Sequence, residues 1–248
     1  IAEKGSKINI TESFHSLTDE VCGFTNSITE IAVMQNANVE FVKAQLSSSK
    51  SSQISYTQAI QERDSIFDTV TVTLSGELVR NNLHIKMNDV NCTSHLFGLY
   101  ILDGNQLVDN HTLVDHAMPN CFSNELYKGI IGGKASGVFN GKIMVRKDAQ
   151  KTNAYQSNKN ILLTDDAQMN TKPQLEIFAD DVKCTHGATT GQLDEEALFY
   201  LRARGIGEKS ARALLNIAFA GDVLNNIKNE VLKENLLHLA VDKLHNNE

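Results

Sequence analysis

The sequence is poor in several features that would each point to a class of protein. It contains no tryptophan and only 6% aromatic residues, which argues against the aromatic groove of a polysaccharide-degrading enzyme. No run approaches the roughly 18 to 20 apolar residues that span a bilayer. The polar start from Ile1 to Lys7 lacks the apolar core of a signal peptide. We therefore expect a soluble, cytoplasmic protein.

An excess of positive charge and paired cysteines are also missing. The net charge of -7 and the pI of ≈ 5.6 argue against a protein that coats nucleic acid or anionic membrane. The four cysteines form no CxxC pair, which excludes a zinc-finger spacing and a small disulfide framework and fits a reducing compartment. The chain begins at Ile1 rather than at methionine, so we expect that an N-terminal part is missing.

Alternating apolar residues dominate from about Ile28 to Cys184. The hydrophobic content of 41% over 248 residues is sufficient for one large or two ordinary folded domains. The clearest strand is Thr69 to Leu74, in which valine and leucine alternate with threonine. Further strands are predicted at Leu83 to Met87, Leu96 to Leu102, His111 to Val114, Gly129 to Ile131, Lys142 to Val145, Asn160 to Leu163 and Gln174 to Phe178.

Turn-forming pairs such as Asp103-Gly104 and Asn140-Gly141 separate these strands, and a doubly wound sheet is therefore disfavoured. Many short strands at irregular intervals suit a sandwich, a barrel or a parallel β-helix, and periodicity does not choose among the three. Asparagines near the turns would suit side-chain ladders between successive coils of a β-helix. These are Asn81, Asn88, Asn105 and Asn158.

The pattern becomes helical at Gln192. Asp194 is the expected cap of a first helix, which Gly205 ends. A second helix is predicted from about Glu208 to Ala220, and a third from about Asp222 to Leu244. We expect a β domain over residues 1–190 and a small helical domain over residues 191–248.

Cys184 and His186 are the sharpest candidate metal ligands. They are two residues apart, so on an extended strand both side chains point to one face and can hold iron, zinc or copper. Two ligands are half of a tetrahedral site, which makes an interfacial or transient site more natural than a structural one. The alternative is a buried thiol beside a hydrogen-bonded histidine. For the scattered residues His84, His95, His111, His116, Cys22, Cys92 and Cys121, packing or solvation is the better interpretation.

Two other patterns allow different functions. The acidic pairs Asp165-Asp166 and Asp180-Asp181 could bind calcium or cleave a polysaccharide, although acidic pairs in turns usually cap or solvate. The segment from Leu201 to Leu215 has the look of a DNA-binding helix-hairpin-helix, with a Gly-Ile-Gly hairpin and arginines nearby. That match is short, and the acidic chain counts against it. The glycines from Gly132 to Gly137 lack the GxxxxGK[ST] arrangement of a phosphate loop.

One longer match covers both the CxH pair and the first helix. The motif ADDVKCTHGAT from Ala179 to Thr189, followed by LFYLRARGI from Leu198 to Ile206, resembles the C-terminal signature of the SufB and SufD family of iron-sulfur cluster assembly proteins. A weaker match upstream, including NILLTDDA from Asn160 to Ala167, extends the resemblance to most of the chain.

The resemblance implies a right-handed parallel β-helix followed by a small C-terminal helical domain. It implies pairing with SufB through the β-helix and docking of the SufC ATPase on the helical domain. SufB-like chains place acidic residues on both sides of the equivalent histidine, whereas His186 lies between Thr185 and Gly187. They also carry a cysteine upstream, and the segment from Lys151 to Lys183 has none. Both departures favour the SufD-type branch, a non-catalytic scaffold.

The resemblance also assigns roles to residues. His186 and Cys184 would form a transient iron or iron-sulfur cluster site shared with SufB, with nothing tightly bound in the isolated chain. The expected SufC-docking residues are Leu198, Phe199, Tyr200, Arg202, Arg204 and Gly205. The hairpin is then a docking surface, so neither nucleic acid nor membrane is an expected partner. An isolated chain can pair with itself through the edge meant for SufB.

Overall fold

The computed structural model describes residues 1–18, 20 and 22–246, and within them a run of strands is followed by three helices. The strands are β1 Lys7–His15, β2 Phe24–Val33, β3 Asn38–Leu46, β4 Ser52–Gln61, β5 Ile66–Thr73, β6 Leu78–Met87, β7 Thr93–Leu102, β8 Leu107–His116, β9 Phe122–Ile131, β10 Ser136–Val145, β11 Asn153–Leu162, β12 Gln168–Ile177 and β13 Lys183–Gly191. The helices are α1 Glu195–Ala203, α2 Glu208–Leu224 and α3 Glu230–Asn246.

Each strand pairs in parallel with the second strand along the chain. The odd-numbered strands form a seven-stranded sheet in chain order, and the even-numbered strands form a six-stranded sheet. The chain therefore winds as a parallel β-helix with two strands in each coil, as the family resemblance implied. Lys7 faces Asn38, whereas Ser52 faces Leu78, so one coil has 31 residues and another has 26. This uneven length explains why the sequence displays no strict repeat.

The strands are longer than the alternation predicted, and they begin earlier, with β1 at Lys7. Polar residues on the inner face are the reason, because they interrupt the apolar alternation without interrupting the strand. Asn81 of β6, for example, is buried, accepts a hydrogen bond from Gln45 at 2.9 Å and donates one to Asn110 at 3.0 Å. The turn predicted at Asn140-Gly141 was wrong, because both residues lie within β10.

An asparagine ladder between coils is therefore present at Asn81. Two of the other named asparagines bond to different groups of a neighbouring coil. Asn88 donates to Glu62 at 3.2 Å, and Asn158 donates to the carbonyl oxygen of Tyr127 at 3.2 Å, each across to the neighbouring coil. Asn105 lies exposed at a corner.

One corner of the β-helix repeats the same backbone turn in five successive coils. Its central residue has a positive φ and donates its backbone N–H to a carbonyl oxygen of the next coil. A small, buried residue follows it each time. The five pairs are Asn36-Ala37, Asp64-Ser65, Asn91-Cys92, Asn120-Cys121 and Lys151-Thr152.

The helices begin and end for reasons visible in the sequence, with one exception. Asp194 accepts hydrogen bonds from the first turn of α1, and Gly205 has a φ of 87°, as expected for the cap and the end of this helix. The third helix, however, begins at Glu230 and not at Asp222. α2 continues through Leu224 because Val223 and Leu224 are buried against the sheet, and Asn229 caps α3 by accepting from the Leu232 N–H at 3.1 Å.

The helices return across the outer face of the seven-stranded sheet. Val72, Leu99 and Ile130 of that face share a buried cluster with Val223 of α2 and Leu236 of α3. The opposite face of the sheet lines the lumen of the β-helix, which holds a separate apolar core. Within the described residues, no helix is both long and apolar enough to cross a membrane.

Candidate functional site

Strand β13 is an open edge of the seven-stranded sheet. It pairs with β11 on one side, and no strand of the described chain lies on its other side. The Lys183 N–H donates to the Thr152 carbonyl oxygen at 2.9 Å. Because alternate residues of a parallel ladder face the same neighbour, the backbone groups of Cys184, His186 and Ala188 point to the open side.

The side chains of Cys184 and His186 lie on the inner face of β13. Cys184 pairs with Ala154 and His186 with Gln156, both of which are buried in the lumen. Cys184 is partly buried and packs against the lumen core, and this burial raises the pKa of its thiol. His186 is exposed. The structure therefore places the two predicted ligands together at the open end of the β-helix.

Beneath this pair runs a buried polar column that sequence reasoning missed. The Gln156 amide donates to the carboxylate of Glu125 at 2.7 Å, and burial raises the pKa of Glu125 to about 7. His116 lies 2.9 Å from the Ser123 hydroxyl, and burial lowers its pKa to about 4. The register of the strands is the signal that could have revealed this column. Glu125 pairs with Gln156 in the next coil, and Gln156 pairs with His186, so the three residues are stacked.

A thiol and an imidazole are suitable ligands for iron, zinc or copper. No group of three or more histidine, cysteine, aspartate or glutamate side chains in the described part of the chain is arranged to hold a metal ion. Any ion at Cys184 and His186 thus needs further ligands from outside this arrangement. The open edge of β13 is the direction from which a second chain can supply them.

The first helix presents an aromatic surface. Phe199 is 74% exposed and Tyr200 is 55% exposed, whereas Leu198 is only 2% exposed. The Arg204 guanidinium lies 4.6 Å from the centre of the Tyr200 ring. Gly205, in the following turn, is exposed. Of the expected docking residues, Leu198 is therefore the one that the structure buries.

The hairpin arginines already have protein partners. Arg202 and Arg212 each lie 3.3 Å from the carboxylate of Glu208, at the start of α2. This pairing partly neutralises the cations that a DNA-binding hairpin would offer to phosphates, so the geometry weakens the nucleic-acid interpretation.

The acidic pairs lie too far apart to act together. Asp165-Asp166 precedes β12 and Asp180-Asp181 follows it, so the ten residues of β12 separate them. A strand of that length spans roughly 30 Å, whereas glycosidase carboxylates stand about 5 to 10 Å apart. A shared acid and base role in polysaccharide cleavage is therefore excluded for these pairs.

Most of the other histidines have protein partners of their own. His95 bonds to Asp68 and His111 to Asp109, each at 2.8 Å, and His84 lies 3.4 Å from the Tyr56 hydroxyl. All four cysteines are free, with Cys92 and Cys121 buried, Cys22 exposed and Cys184 intermediate.

Fold and site together define a parallel β-helix scaffold whose last strand offers a cysteine and a histidine at an open edge. The sequence matches the family described as SUF system FeS cluster assembly, SufBD core domain, over residues 1–219. The chain therefore belongs to the SufBD family of iron-sulfur cluster assembly proteins.

Several relatives agree with this membership. The chain is 36% identical to an iron-sulfur cluster assembly SufBD family protein of Synechocystis sp. over 92% of this chain and 52% of that protein. It is 35% identical to the iron-sulfur cluster assembly protein SufD of Escherichia coli, over 94% and 55% respectively. It is 34% identical to the chloroplastic protein ABCI7 of Arabidopsis thaliana, over 94% and 50%. The chain spans about half the length of these relatives.

Proposed function

We propose that this chain is a non-catalytic, SufD-type scaffold subunit of a complex with SufB and the SufC ATPase, acting in the cytoplasm. The observation that carries the proposal is the open edge of β13, which presents Cys184 and His186 from one face of a strand. A transient cargo has to be released again, and ligands divided between two chains separate when the chains move apart.

Pairing with SufB would take place at the end of the β-helix where β12 and β13 are both edge strands. Unpaired backbone groups on such edges template further strand pairing. Exposed apolar side chains stand beside them, since Ile177 and Phe178 end this coil on the β12 side. In the absence of SufB, the same edge supports pairing of two copies of this chain.

The cargo would be an iron ion or a nascent iron-sulfur cluster. Cys184 and His186 would supply two ligands, and the cysteine and other ligands of SufB would supply the rest. Burial raises the pKa of the Cys184 thiol, so the metal itself would promote loss of the thiol proton on binding. Such a site holds its cargo only while the two chains are together.

SufC would dock on α1 and the turn that follows it. Phe199, Tyr200, Arg204 and Gly205 are exposed there, and Arg202 stands at the rim in its ion pair with Glu208. α1 follows β13 after only a few residues. Movement of a docked SufC subunit during its ATPase cycle would therefore be transmitted to the strand that carries Cys184 and His186.

Co-purification with SufB and SufC of the same organism tests the docking part of the proposal. Phe199→Ala combined with Tyr200→Ala removes the exposed rings, so we expect loss of SufC with SufB retained. Val231→Ala, at an exposed apolar position on α3, is the matched control and should retain both partners. Retention of SufC by the double variant would place docking elsewhere.

The ligand role is tested separately in the reconstituted complex. We expect His186→Ala to slow iron-sulfur cluster formation, followed by its visible absorbance, roughly tenfold or more. His238→Ala, an exposed histidine on α3, should leave the rate unchanged. A normal rate in the His186→Ala complex would remove this residue from the proposed site.

A further inference from the structure

Two buried thiols are stacked at the repeated corner of the β-helix. Cys92 and Cys121 each follow an asparagine with positive φ, of 59° at Asn91 and 60° at Asn120. The next residues along the chain, Thr93 and Phe122, are paired in register between β7 and β9. Neighbouring parallel strands lie about 4.8 Å apart, which is within the range of roughly 4.4 to 6.8 Å that a disulfide requires between Cα atoms.

The two sulfur atoms share one hydrogen-bond acceptor. Cys92 Sγ lies 3.1 Å and Cys121 Sγ 3.4 Å from the carbonyl oxygen of Asp89. This common acceptor and the matched turns orient both sulfur atoms toward the same point.

Packing alone does not require a thiol at this corner. The other coils place Ala37, Ser65 and Thr152 in the same position, all of them buried like the two cysteines. The corner thus accepts any small side chain, and two successive coils provide sulfur. The residues that precede the two cysteines, Asn91 and Asn120, are exposed, so the buried pair lies next to the protein surface along the chain.

We propose that Cys92 and Cys121 are a peroxide-oxidisable dithiol that closes into a disulfide between two successive coils. The Cys92 thiolate attacks one oxygen of hydrogen peroxide, so that an S–O bond forms, the O–O bond breaks, and hydroxide leaves and gains a proton to become water. The Cys121 sulfur then attacks the sulfenic acid, and the S–S bond forms as the S–O bond breaks. The second water carries away the Cys121 proton, so two thiols and one peroxide give one disulfide and two waters.

Electrostatics assigns the order of attack. The hydrogen bond from Cys121 lowers the pKa of Cys92, while the same contact, together with burial, raises the pKa of Cys121. Cys92 is therefore the thiol of the pair that ionises more readily and attacks first, and Cys121 is the resolving thiol. A bond between the coils also restricts the unfolded chain, so oxidation should raise Tm.

The test uses the full chain, treated with increasing hydrogen peroxide, quenched with catalase and alkylated in denaturant before peptide mapping. We expect a peptide pair joining Cys92 to Cys121 that lacks two hydrogens and separates on reduction. The combined variant Cys22→Ser and Cys184→Ser removes the two more accessible thiols and should give the same linked pair, with an increased Tm.

Two results would overturn the proposal. One is full alkylation of Cys92 and Cys121 at peroxide concentrations that oxidise Cys22 and Cys184 in the parent chain. The other is a linkage that joins separate molecules, detected as a dimer on non-reducing electrophoresis of the variant that lacks Cys22 and Cys184. Substitution of Cys121 by serine should abolish the linked pair and leave a sulfenic acid on Cys92 that a dimedone probe traps.

Discussion

At the residue scale, the ionisation of Glu125 in the lumen makes the stability of the protein depend on pH. Its carboxyl group is fully buried, which raises its pKa to about 7, and the Gln156 amide at 2.7 Å offsets part of that effect. In the unfolded chain the same group titrates at about 4.3. The folded state therefore binds more protons between these two values, so the contribution of Glu125 to stability falls as pH rises from about 4.3 to about 7.

Substitution of Glu125 by glutamine should remove this pH dependence. A glutamine still accepts a hydrogen bond from Gln156 but does not ionise. Relative to the parent protein, we expect the variant to gain up to about 3 kcal/mol in the free energy of unfolding between about pH 5 and about pH 8. Urea denaturation at the two pH values measures this.

The comparison between the two proteins isolates Glu125. His116, whose pKa burial lowers to about 4, titrates over part of the same range, but it is present in both proteins and cancels in the difference. A difference in unfolding free energy that stays constant with pH would show that folding does not raise the pKa of Glu125.

At the element scale, β13 combines a paired side with an open side. Residues of one parity bond to β11, as Lys183 does through Thr152, and residues of the other parity face outward. Cys184 and His186 belong to the second set, so their backbone groups face a second chain, while the side chain of His186 is exposed and that of Cys184 is partly buried. One strand can thus serve as a recognition edge and as a ligand carrier.

Proline substitutions at neighbouring positions should separate these two roles. Ala188→Pro removes an N–H on the open side, where proline is tolerated in an edge strand. We expect this variant to fold normally and to lose pairing with SufB or with a second copy. Thr189→Pro removes an N–H that faces β11 and leaves its acceptor unpaired, so it should lower the free energy of unfolding by about 1 to 3 kcal/mol.

Size-exclusion chromatography with light scattering, together with urea denaturation, distinguishes the two variants. If Ala188→Pro pairs as well as the parent chain, the open edge of β13 is not the pairing surface. Equal stability of the two proline variants would contradict the assignment of the Thr189 N–H to β11 and of the Ala188 N–H to the open side.

At the scale of the whole molecule, the helices pack along one face of the β-helix rather than extend from its end. α2 and α3 cover Val72, Leu99 and Ile130 on the outer face of the seven-stranded sheet. Lys128 of β9 is buried beneath Phe219 and ion-paired with Asp222, and Lys228 is ion-paired with Asp68. Truncation after Gly191 would expose this apolar face, so surface variants are the cleaner test of SufC docking.

Two leucines of α3 provide a matched test of this packing. Leu236 is 1% exposed and contacts the outer core, whereas Leu239 is 42% exposed on the same helix. Leu236→Ala should lower the free energy of unfolding by about 2 to 5 kcal/mol, and Leu239→Ala should change it by about 0.5 kcal/mol or less. Equal effects in urea denaturation would show that α3 does not pack on the sheet as described.

The sequence by itself determined the local features of this protein. Alternation identified strands such as Thr69 to Leu74, the Asp194 cap fixed the start of α1, and the spacing of Cys184 and His186 put both side chains on one face of a strand. Each of these follows from residues only a few positions apart, because propensity, capping and the two-residue period of a strand act locally.

Only the tertiary structure decided how distant residues meet. Coils of unequal length bring Gln156 over Glu125 and Cys121 beside Cys92, and no local pattern encodes such register. The third helix was misplaced for a related reason: burial against the sheet extends α2 through Val223, which an isolated amphipathic pattern does not reveal. Side chains from separate coils become neighbours only when strand pairing holds them at the spacing of parallel strands, roughly 5 Å.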